Sequence, residues 1–360
     1  MRALGLATGL TVDPEARVRD LSVTAQQRLE LLKALSRDAQ VLVLDEPTAV
    51  LAPGEADEFL RQIRQLADAG RSVVLITHKL REALRVADDI TVLRHGVTVL
   101  TRARADCDER ELIEAMLGQR DYLPQPAERP TVTGPSVIAA RDVAVADGRG
   151  TTRVRGATFD VRAGEIVGVA AVEGAGHHEL LRAVARRVRI VAGALELPDV
   201  VGFVPDDRHR DGLVLEMSLT ENQALKGAGS RSGTISWRAV AQTTREIIQQ
   251  FDVRAANEYV QVGTLSGGNQ QKFVLGRELQ ARPPAMVIEN PTRGLDLRSA
   301  AYVREQVLEA RRNGVAIMLH SIDLDEVLAI ADRMLVVYNG TVREVRMDPE
   351  LVGRAMLGAA

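Results

Sequence analysis

The stretch Val41-Leu-Val-Leu-Asp-Glu-Pro-Thr48 joins a short, wholly apolar run to two carboxylates, and it decides the fold class. An apolar run of this length predicts a parallel strand that is buried on both faces. Sheets built from such strands bind their ligands at the carboxyl ends of the strands. Asp45 and Glu46 are therefore candidate site residues, although two acids that cap the next helix would give the same pattern.

The pattern around this strand occurs twice along the chain. Three anchors recur at one constant spacing without a gap: Leu21-Ser22 as Leu265-Ser266, Pro47-Thr48 as Pro291-Thr292, and Gly96 as Gly340. In both copies a segment of helical spacing precedes the apolar run, and a second helical segment and a second apolar run follow it. This alternation predicts an α/β fold with a parallel sheet in each copy.

A polar stretch with four prolines between residues 124 and 135 separates the copies and predicts a linker. We predict a first domain at residues 1–118, a linker at 119–136 and a second domain at 137–360. The second copy contains Phe159-Asp-Val-Arg-Ala-Gly-Glu-Ile-Val-Gly-Val169, which predicts a strand, a turn and a strand. The first copy has no such segment between Met1 and Leu21, so its sheet is expected to lack the N-terminal strands.

The composition is that of a globular protein, with 46% hydrophobic and 26% charged residues. A net charge of −3 gives no reason to expect nucleic acid as a partner. The single cysteine, Cys107, excludes an intramolecular disulfide and suits a reducing compartment. No apolar run approaches the roughly 20 residues that a membrane-spanning helix needs. Any membrane association is therefore expected to come through a partner.

The stretch Leu265-Ser-Gly-Gly-Asn-Gln-Gln-Lys272 precedes a segment of helical spacing. Two glycines let the backbone approach an anion closely, and a helix N-terminus presents free N–H groups. The hydroxyl of Ser266 can add a further donor. A capped helix start after a glycine turn is the alternative. Val287-Ile-Glu-Asn-Pro-Thr-Arg-Gly-Leu-Asp296 follows at the same distance as its counterpart in the first copy, which favours an anion site.

The carboxylates of the first copy suit phosphoryl chemistry. Asp45 would hold Mg²⁺ through water, because Mg²⁺ favours oxygen ligands and keeps several waters. Glu46 would be the base that polarises an attacking water. His78 follows the next apolar run and could contact a phosphate and orient that water. A lone histidine is more often structural, but the ends of neighbouring parallel strands meet at one edge of a sheet.

Together these motifs resemble those of ABC ATPases. Leu-Ser-Gly-Gly-Asn-Gln-Gln, Leu-Asp-Glu-Pro-Thr-Ala-Val-Leu and Ile-Thr-His-Lys-Leu-Arg-Glu are similar to the signature, Walker B and switch-histidine motifs. Pro-Thr-Arg-Gly-Leu-Asp, with the segment from Val204 to Leu215, is similar to the tandem-cassette subunits of bacterial sugar and nucleoside importers. The sequence from His78 to Glu82 resembles that of the nucleoside importers. The resemblance covers about residues 10 to 345.

The resemblance implies two tandem ABC-type P-loop NTPase cassettes that use ATP and Mg²⁺. It implies transmembrane permease subunits as partners and, through them, a periplasmic or lipoprotein solute-binding protein. A cassette dimer partner is also implied. The expected location is cytoplasmic, on the inner face of the cell membrane. The importer-like segments argue against an ABC ATPase of DNA repair or translation.

In this family a nucleotide lies between the P-loop and Walker B of one cassette and the signature of the other. The first such site would combine the following residues: Asp45, Glu46, His78, Ser266, Gly267, Gly268 and Gln270. Its P-loop would have to precede Met1, so we expect an N-terminally truncated first cassette. About three lost charge-assisted hydrogen bonds of ~1.5–3 kcal/mol each would weaken nucleotide binding at least ~1,000-fold.

The second site would use Ala171-Val-Glu-Gly-Ala-Gly-His-His-Glu179 as its P-loop. Gly174 and Gly176 remain, but no lysine and no serine or threonine follows them. The other positions also depart from the family pattern: Glu289 replaces Asp, Asn290 replaces the base, Ile322 replaces the switch histidine, and Thr24 replaces a glycine of the facing signature. His320, two positions before Ile322, is not expected to take that role. Because asparagine cannot accept a proton in this role, the second site is expected to be noncatalytic.

Asp206 and Asp207 lie where cassettes carry the Q-loop, so the resemblance implies contact with a permease. A charged surface turn is the alternative. Two functions remain open. One is the ATPase subunit of a sugar or nucleoside importer, with negligible activity for this chain alone. The other is a noncatalytic truncated remnant, or a regulatory or scaffold protein that binds a permease or an intact ATPase.

Overall fold

The computed structural model describes residues 5, 8, 10, 12–18, 21, 23–37, 39–48, 53–77, 79–94, 96–117, 134–172 and 174–358. The chain divides into two compact units, Met1–Pro124 (unit 1) and Gln125–Ala360 (unit 2). Across the described ranges, no helix is long and apolar enough to span a membrane. The candidate His78 lies outside the described residues.

Unit 1 alternates helices and short strands. Its described helices are α1 (Val23–Leu35), α2 (Pro53–Asp68), α3 (Leu80–Val86) and α4 (Glu109–Leu117). Its described strands are β1 (Val41–Asp45), β2 (Ser72–Ile76), β3 (Asp89–Arg94) and β4 (Val97–Ala103). The helices and strands that the sequence predicts around the apolar run at Val41 are thus present, and the candidate Thr24 lies in α1. Strands β1 and β2 pair in parallel, whereas β3 and β4 form a separate antiparallel pair.

The main core of unit 1 lies on one face of β1 and β2. Leu42 of β1 is 3% exposed and packs with leucines of α1 and with Phe59 and Leu60 of α2. On the opposite face, Val41 and Val43 are 59% and 64% exposed. The prediction that β1 is buried on both faces is therefore wrong. The physical reason is that the described helices of unit 1 cover only the face that carries Leu42.

Unit 2 contains a larger sheet. Its described strands are β5 (Ser136–Ala146), β6 (Thr152–Arg162), β7 (Ile166–Ala171), β8 (Ile190–Glu196), β9 (Val201–Val204), β10 (Ala285–Glu289), β11 (Ala316–His320), β12 (Arg333–Tyr338) and β13 (Thr341–Val345). Six of them form one sheet in the order β13-β12-β7-β11-β10-β9, parallel except for β13. Strands β6, β5 and β8 form an antiparallel sheet.

Helices complete unit 2. The described ones are α5 (His177–Val184), α6 (Leu219–Leu225), α7 (Trp237–Gln250), α8 (Gly267–Gln280), α9 (Leu297–Arg312), α10 (Leu324–Ile330) and α11 (Pro349–Met356). Every residue of β10 and β11 is buried, which confirms the prediction for these strands. Met286 and Ile288 of β10 pack in one core with α7 to α11. Ala285 and Val287 face the other core, which β5, β6 and α5 complete.

The elements of the two units correspond along the sequence. Strands β1, β2 and β3 and helices α2 and α3 recur as β10, β11, β12, α9 and α10, at the same spacing as the sequence anchors. The likeness extends to an unusual backbone conformation after β1 and β10. Glu46 has φ +45° and Asn290 has φ +43°. Their N–H groups donate to the last residue of the neighbouring strand, Ile76 at 2.8 Å and His320 at 2.7 Å.

Candidate functional site

The carboxyl end of β1 presents the two predicted acids of unit 1. Asp45 is the last residue of the strand, and both Asp45 and Glu46 are exposed. Positive φ is uncommon for residues other than glycine and is tolerated best by asparagine and aspartate. A glutamate in this conformation, whose N–H group bonds to β2, therefore indicates a backbone kink that the fold specifies directly after β1.

The loop after these acids is tied to the start of α3. Thr48 is 1% exposed, and its hydroxyl donates to the carboxylate of Glu82. Lys79 Nζ donates to the Thr48 carbonyl at 3.1 Å and lies 3.4 Å from Glu82. The Lys79 N–H group also donates to the Thr77 hydroxyl at 3.0 Å. These contacts hold both neighbours of position 78 close to the end of β1.

The equivalent end of β10 in unit 2 carries Glu289 and Asn290. Glu289 is fully buried and accepts the N–H group of Asp206 at 3.2 Å. Asn290 Nδ2 donates to Asp206 Oδ1 at 2.8 Å, and Asn290 Oδ1 accepts the N–H group of Ile322 at 2.7 Å. Both ends of the asparagine amide are thus used within the unit. Ile322 contributes its backbone here, and the Asn290 amide cannot take a proton from water.

A glycine-rich loop joins β7 to α5. Gly174 has φ +80° and Gly176 has φ +105°, and a Cβ atom on Gly176 would lie 2.3 Å from the Arg153 carbonyl. Both glycines are therefore required by conformation, and Gly176 also by space. The N–H group of Gly340 donates to the Ala175 carbonyl at 2.9 Å. The loop leads directly into the N-terminus of α5, where unpaired N–H groups favour an anion.

Three histidines cluster where this loop meets the sheet, which the sequence patterns did not predict. The ring centroid of His177 lies 4.1 Å from that of His178 and 4.4 Å from that of His320. His177 is 2% exposed and its Nδ1 has no hydrogen-bond partner among the described residues. Burial lowers the pKa of His177 to about 2, and the charges of His320 and His178 act in the same direction. A neutral imidazole thus follows Gly176, where a P-loop carries its cationic lysine.

The other two rings hold the cluster in place. His320 ends β11 and is 2% exposed, and its Nδ1 donates to the Val169 carbonyl at 2.8 Å. Burial lowers the pKa of His320 as well. His178 Nδ1 lies 3.4 Å from the buried carboxylate of Glu289. Within the described part of the chain, no set of three or more His, Cys, Asp or Glu side chains could hold a metal ion. The two buried rings, His177 and His320, therefore fill this end of unit 2 in their neutral form.

The two acids predicted to contact a permease have roles within unit 2. Asp206 accepts from Asn290 and from Arg293 Nη1, the latter at 2.9 Å. Burial alone would raise the pKa of Asp206, but the hydrogen bond and the charge of Arg293 hold it below its usual range. Asp207 is exposed and caps the helical turn Arg208–Gly212 through backbone N–H groups. A cavity of about 620 Å³ opens beside this segment, with charged side chains on its walls.

The predicted signature motif forms the start of α8. Ser266 is its N-cap, and its hydroxyl accepts from Asn269 Nδ2 at 2.9 Å. A Cβ atom on Gly268 would lie 2.7 Å from the Ser299 hydroxyl, so α9 packs closely at this point. A Cβ atom on Gly267 would lie 2.8 Å from a guanidinium nitrogen at the flexible end of Arg208, so this position is less constrained than Gly268. Only glycines allow this approach without a shift of their neighbours.

Gln270 of the motif is held inside unit 2. It is 5% exposed, and its Nε2 donates to the carbonyls of Val262 and Leu265, both at 3.2 Å. Its Oε1 accepts from His209 Nε2 at 2.8 Å and from Arg208 Nε at 3.3 Å. The side chain therefore joins the segment after β9 to the signature helix. The sequence patterns gave no sign of this link, because it connects residues 61 positions apart.

Comparison with known proteins places these features in a family. A family model described as "ABC transporter" matches residues 154–293. The nucleoside import ATP-binding protein NupA of Lactococcus lactis subsp. cremoris is 40% identical, over 97% of this chain and 72% of that protein. The guanosine import ATP-binding protein NupO of Bacillus subtilis is 37% identical, over 93% and 69%. The ribose import ATP-binding protein RbsA 1 of Streptomyces avermitilis is 36% identical, over 93% and 66%.

Solved structures agree on the fold. The archaeal ribosome recycling factor aABCE1, in complex with the stalk protein aP1, matches with a TM-score of 0.72 at 18% identity. That match covers 99% of this chain and 70% of that one. The ATP-binding cassette MJ0796, bound to ADP and phosphate, matches 59% of this chain with a TM-score of 0.51. The chain has the α/β fold of an ABC-type P-loop NTPase, and it belongs to the ABC transporter family, among the import ATP-binding proteins.

Proposed function

We propose that this chain is the ATP-binding, energy-coupling subunit of an importer for a nucleoside or a sugar. The proposal is supported by relatives that are named for nucleoside, guanosine, ribose and glucose import. In this role the chain would contact transmembrane permease subunits and, through them, a solute-binding protein. It would then act at the inner face of the membrane, with ATP and Mg²⁺ as cofactors.

We further propose that the two units are successive ABC cassettes, at residues 1–118 and 137–360, with residues 119–136 as the linker. The constant spacing between their corresponding elements supports this division. Counterparts of β7 and β9 are not among the described residues of unit 1, so the first cassette would be incomplete within that part of the chain. A nucleotide shared between the cassettes remains a prediction from the sequence.

The chemistry of hydrolysis is assigned to Asp45 and Glu46. The observation that carries this assignment is the contrast at the matched kinks after β1 and β10. Glu46 carries an exposed carboxyl group, whereas Asn290 carries an amide at the same position. A carboxylate can take a proton from water, and an amide cannot. With His78 as the proposed orienting group, unit 1 would supply the base and unit 2 would not.

The carboxylate that could bind Mg²⁺ is more accessible in unit 1 than in unit 2. Asp45 offers exposed carboxylate oxygens, and Mg²⁺ binds to one or two carboxylates while it keeps several waters. Glu289 is fully buried and is engaged by the N–H group of Asp206. When bound, the ion would stabilise negative charge on phosphate oxygens.

Ser266, Gly267 and Gly268 would contribute the hydroxyl and N–H groups of the signature, and the loop of Gly174 and Gly176 would hold at most a weakly bound nucleotide. Gln270 would support the signature from within.

ATP hydrolysis by the purified chain tests the proposal, alone and together with its permease. The 360-residue sequence contains no glycine-rich loop followed by lysine in the P-loop pattern, so we expect turnover near background for the chain alone. Any turnover that appears with the permease should be abolished by Glu46→Gln. The matched control Glu30→Gln changes an exposed glutamate of the same unit that pairs with Lys33, and it should have no effect.

Three outcomes separate the functions. Turnover at a normal transporter rate by the chain alone, lost in Glu46→Gln, would overturn the expected inactivity. Turnover that persists in Glu46→Gln would overturn the assignment of the base. Binding to the permease without turnover under any condition would favour the noncatalytic alternative, a regulatory or scaffold protein. The occupied amide of Asn290 and the neutral histidines beside it favour that alternative for unit 2.

A further inference from the structure

A glutamate occupies the same place in each unit, Glu82 in α3 and Glu326 in α10. In unit 1, the hydroxyl of Thr48 donates to the Glu82 carboxylate. In unit 2, the hydroxyl of Ser321 donates to Glu326 at 2.6 Å, and the hydroxyl of Thr292, the counterpart of Thr48, is a second partner. Each glutamate with its hydroxyl partners thus forms a clamp, which ties the loop after one strand to the helix that follows the neighbouring strand.

The two clamps differ in the charge that lies beside them. In unit 1, Lys79 Nζ lies 3.4 Å from the Glu82 carboxylate, so a cation compensates a negative charge there. The counterpart of Lys79 in unit 2 is Asp323, whose side chain caps α10 by accepting the N–H groups of Asp325 and Glu326. A carboxylate at this position repels a negative charge on Glu326. Unit 2 therefore keeps the hydroxyl bond of the clamp and reverses the charge next to it.

The surroundings of Glu326 favour its neutral form. The residue is 5% exposed, and burial raises the pKa of its carboxyl group, as does the charge of Asp323. The two hydroxyl bonds and the charge of Arg304 in α9 act against this rise without cancelling it. Of the other elements packed on α10, β7 is apolar, and Glu350 and Arg354 of α11 pair with each other. A protonated carboxyl group both accepts and donates, so two hydroxyl groups satisfy it.

We propose that Glu326 is a proton-dependent clamp, which holds the loop after β11 against the end of β10 only while its carboxyl group is protonated. This loop contains Ile322, whose N–H group donates to Asn290 Oδ1 at 2.7 Å. The N–H group of Asp323 donates to the Ser321 hydroxyl at 3.2 Å, so one hydroxyl serves both the loop and the clamp. A buried negative charge that faces Asp323 is costly, and opening of the loop to water relieves that cost. Alkaline pH should therefore release the contact between Ile322 and Asn290.

The change is local and involves a single proton. That proton passes from Glu326 to water, and no other reactant is needed. The clamp joins the loop after β10, the loop after β11 and the start of α10, so its release should leave the rest of unit 2 folded. The inference rests on the matched contacts and the reversed charge at Asp323, and it does not depend on the proposed function.

Hydrogen exchange of the full chain, followed by mass spectrometry at pH 6.0 and 9.0, tests the clamp at residues 320–327. The protection factor, which is corrected for the intrinsic effect of pH on exchange, should fall about fivefold or more in the parent chain as the pH rises. In Glu326→Gln, whose amide cannot ionise, the fall should be less than about twofold. Asp323→Asn keeps the helix cap but removes the repelling charge, so it should reduce the fall. The matched control Asp348→Asn, at the capping aspartate of α11, should behave as the parent chain.

Infrared spectroscopy provides a second measurement. At pH 6.0 the parent chain should show the carbonyl stretch of a protonated carboxyl group, and this band should be lost at pH 9.0. Glu326→Gln should lack the band at both pH values. The titration of the parent chain and the exchange of Asp323→Asn decide the question even where Glu326→Gln fails to fold.

Three results would overturn the proposal. One is the absence of a protonated carboxyl band in the parent chain at pH 6.0. Another is an equal fall of protection in the parent chain and in a Glu326→Gln variant with the same circular dichroism spectrum. The third is a fall at residues 320–327 that is matched at residues 137–145 of β5, since that would show opening of the whole unit. None of these results bears on whether Glu46 acts as a base, because that is measured by turnover with the permease.

Discussion

Acidification from pH 6.5 to 5.0 should destabilise unit 2 through His177. The folded unit holds the pKa of this imidazole at about 2, against an ordinary value of 6.5. Between these values the unfolded chain binds a proton that the folded unit rejects, so the free energy of unfolding falls as the pH falls. Each pH unit corresponds to about 1.36 kcal/mol. A drop of about 1.5 units should therefore remove about 2 kcal/mol, and this contribution is fully present only above pH 6.5.

Urea unfolding at pH 7.0 and 5.0 measures this effect in the chain and in His177→Gln. Trp237 is the single tryptophan and lies in α7, so its fluorescence follows unit 2. The parent chain should lose about 2 kcal/mol more than the variant between the two pH values. His209→Gln, which removes an exposed histidine of the same unit, serves as the control. Equal losses in the parent chain and in His177→Gln would refute a neutral, buried His177.

Two further substitutions test the packing of unit 2, each with a matched control. Gly176→Ala would place a Cβ atom 2.3 Å from a carbonyl of β6, at a residue whose φ is +105°. It should lower the free energy of unfolding in urea by about 2–3 kcal/mol. The control Gly229→Ala, which has open space around it, should change that free energy by less than ~0.5 kcal/mol. Arg311→Met should cost about 3–5 kcal/mol, because Asp332 is 6% exposed and would lose its guanidinium partner. The exposed pair of Arg312 should contribute less than ~1 kcal/mol by the same assay, and a similar loss for both arginines would contradict the argument from burial.

The strands were predictable because their apolar runs are short and bounded. Their burial was predictable only where described elements cover both faces of the strand. Met286 and Val287 are buried on opposite faces of β10, as the apolar run indicates. The equivalent run at Val41 and Val43 has the same pattern but an exposed face. Burial depends on what packs against a strand, and the sequence of the strand itself does not contain that information.

The candidate site was likewise predictable only in part. Gly174 and Gly176 were named from the resemblance to a P-loop, and the structure gives both of them a positive φ that favours glycine. The contact between His178 and Glu289 was not predicted, since it joins residues 111 positions apart. It arises because β7 lies beside β11, which lies beside β10. The sequence did contain a signal for the histidine cluster, because His177 and His178 directly follow the two glycines. A buried, neutral imidazole at this place leaves the loop without the positive charge of a P-loop lysine.

The kink at Glu46 has a consequence for how unit 1 could be altered. Asparagine adopts a left-handed backbone more readily than glutamate, and glycine adopts it without strain. Asn290 shows that asparagine is compatible with the same kink in unit 2. Selection for folding alone would thus be satisfied, or better satisfied, by a residue without a carboxylate at position 46. Efforts to make unit 1 more robust would tend to remove the group on which its proposed chemistry depends, so thermostability and turnover should be optimised separately at this position.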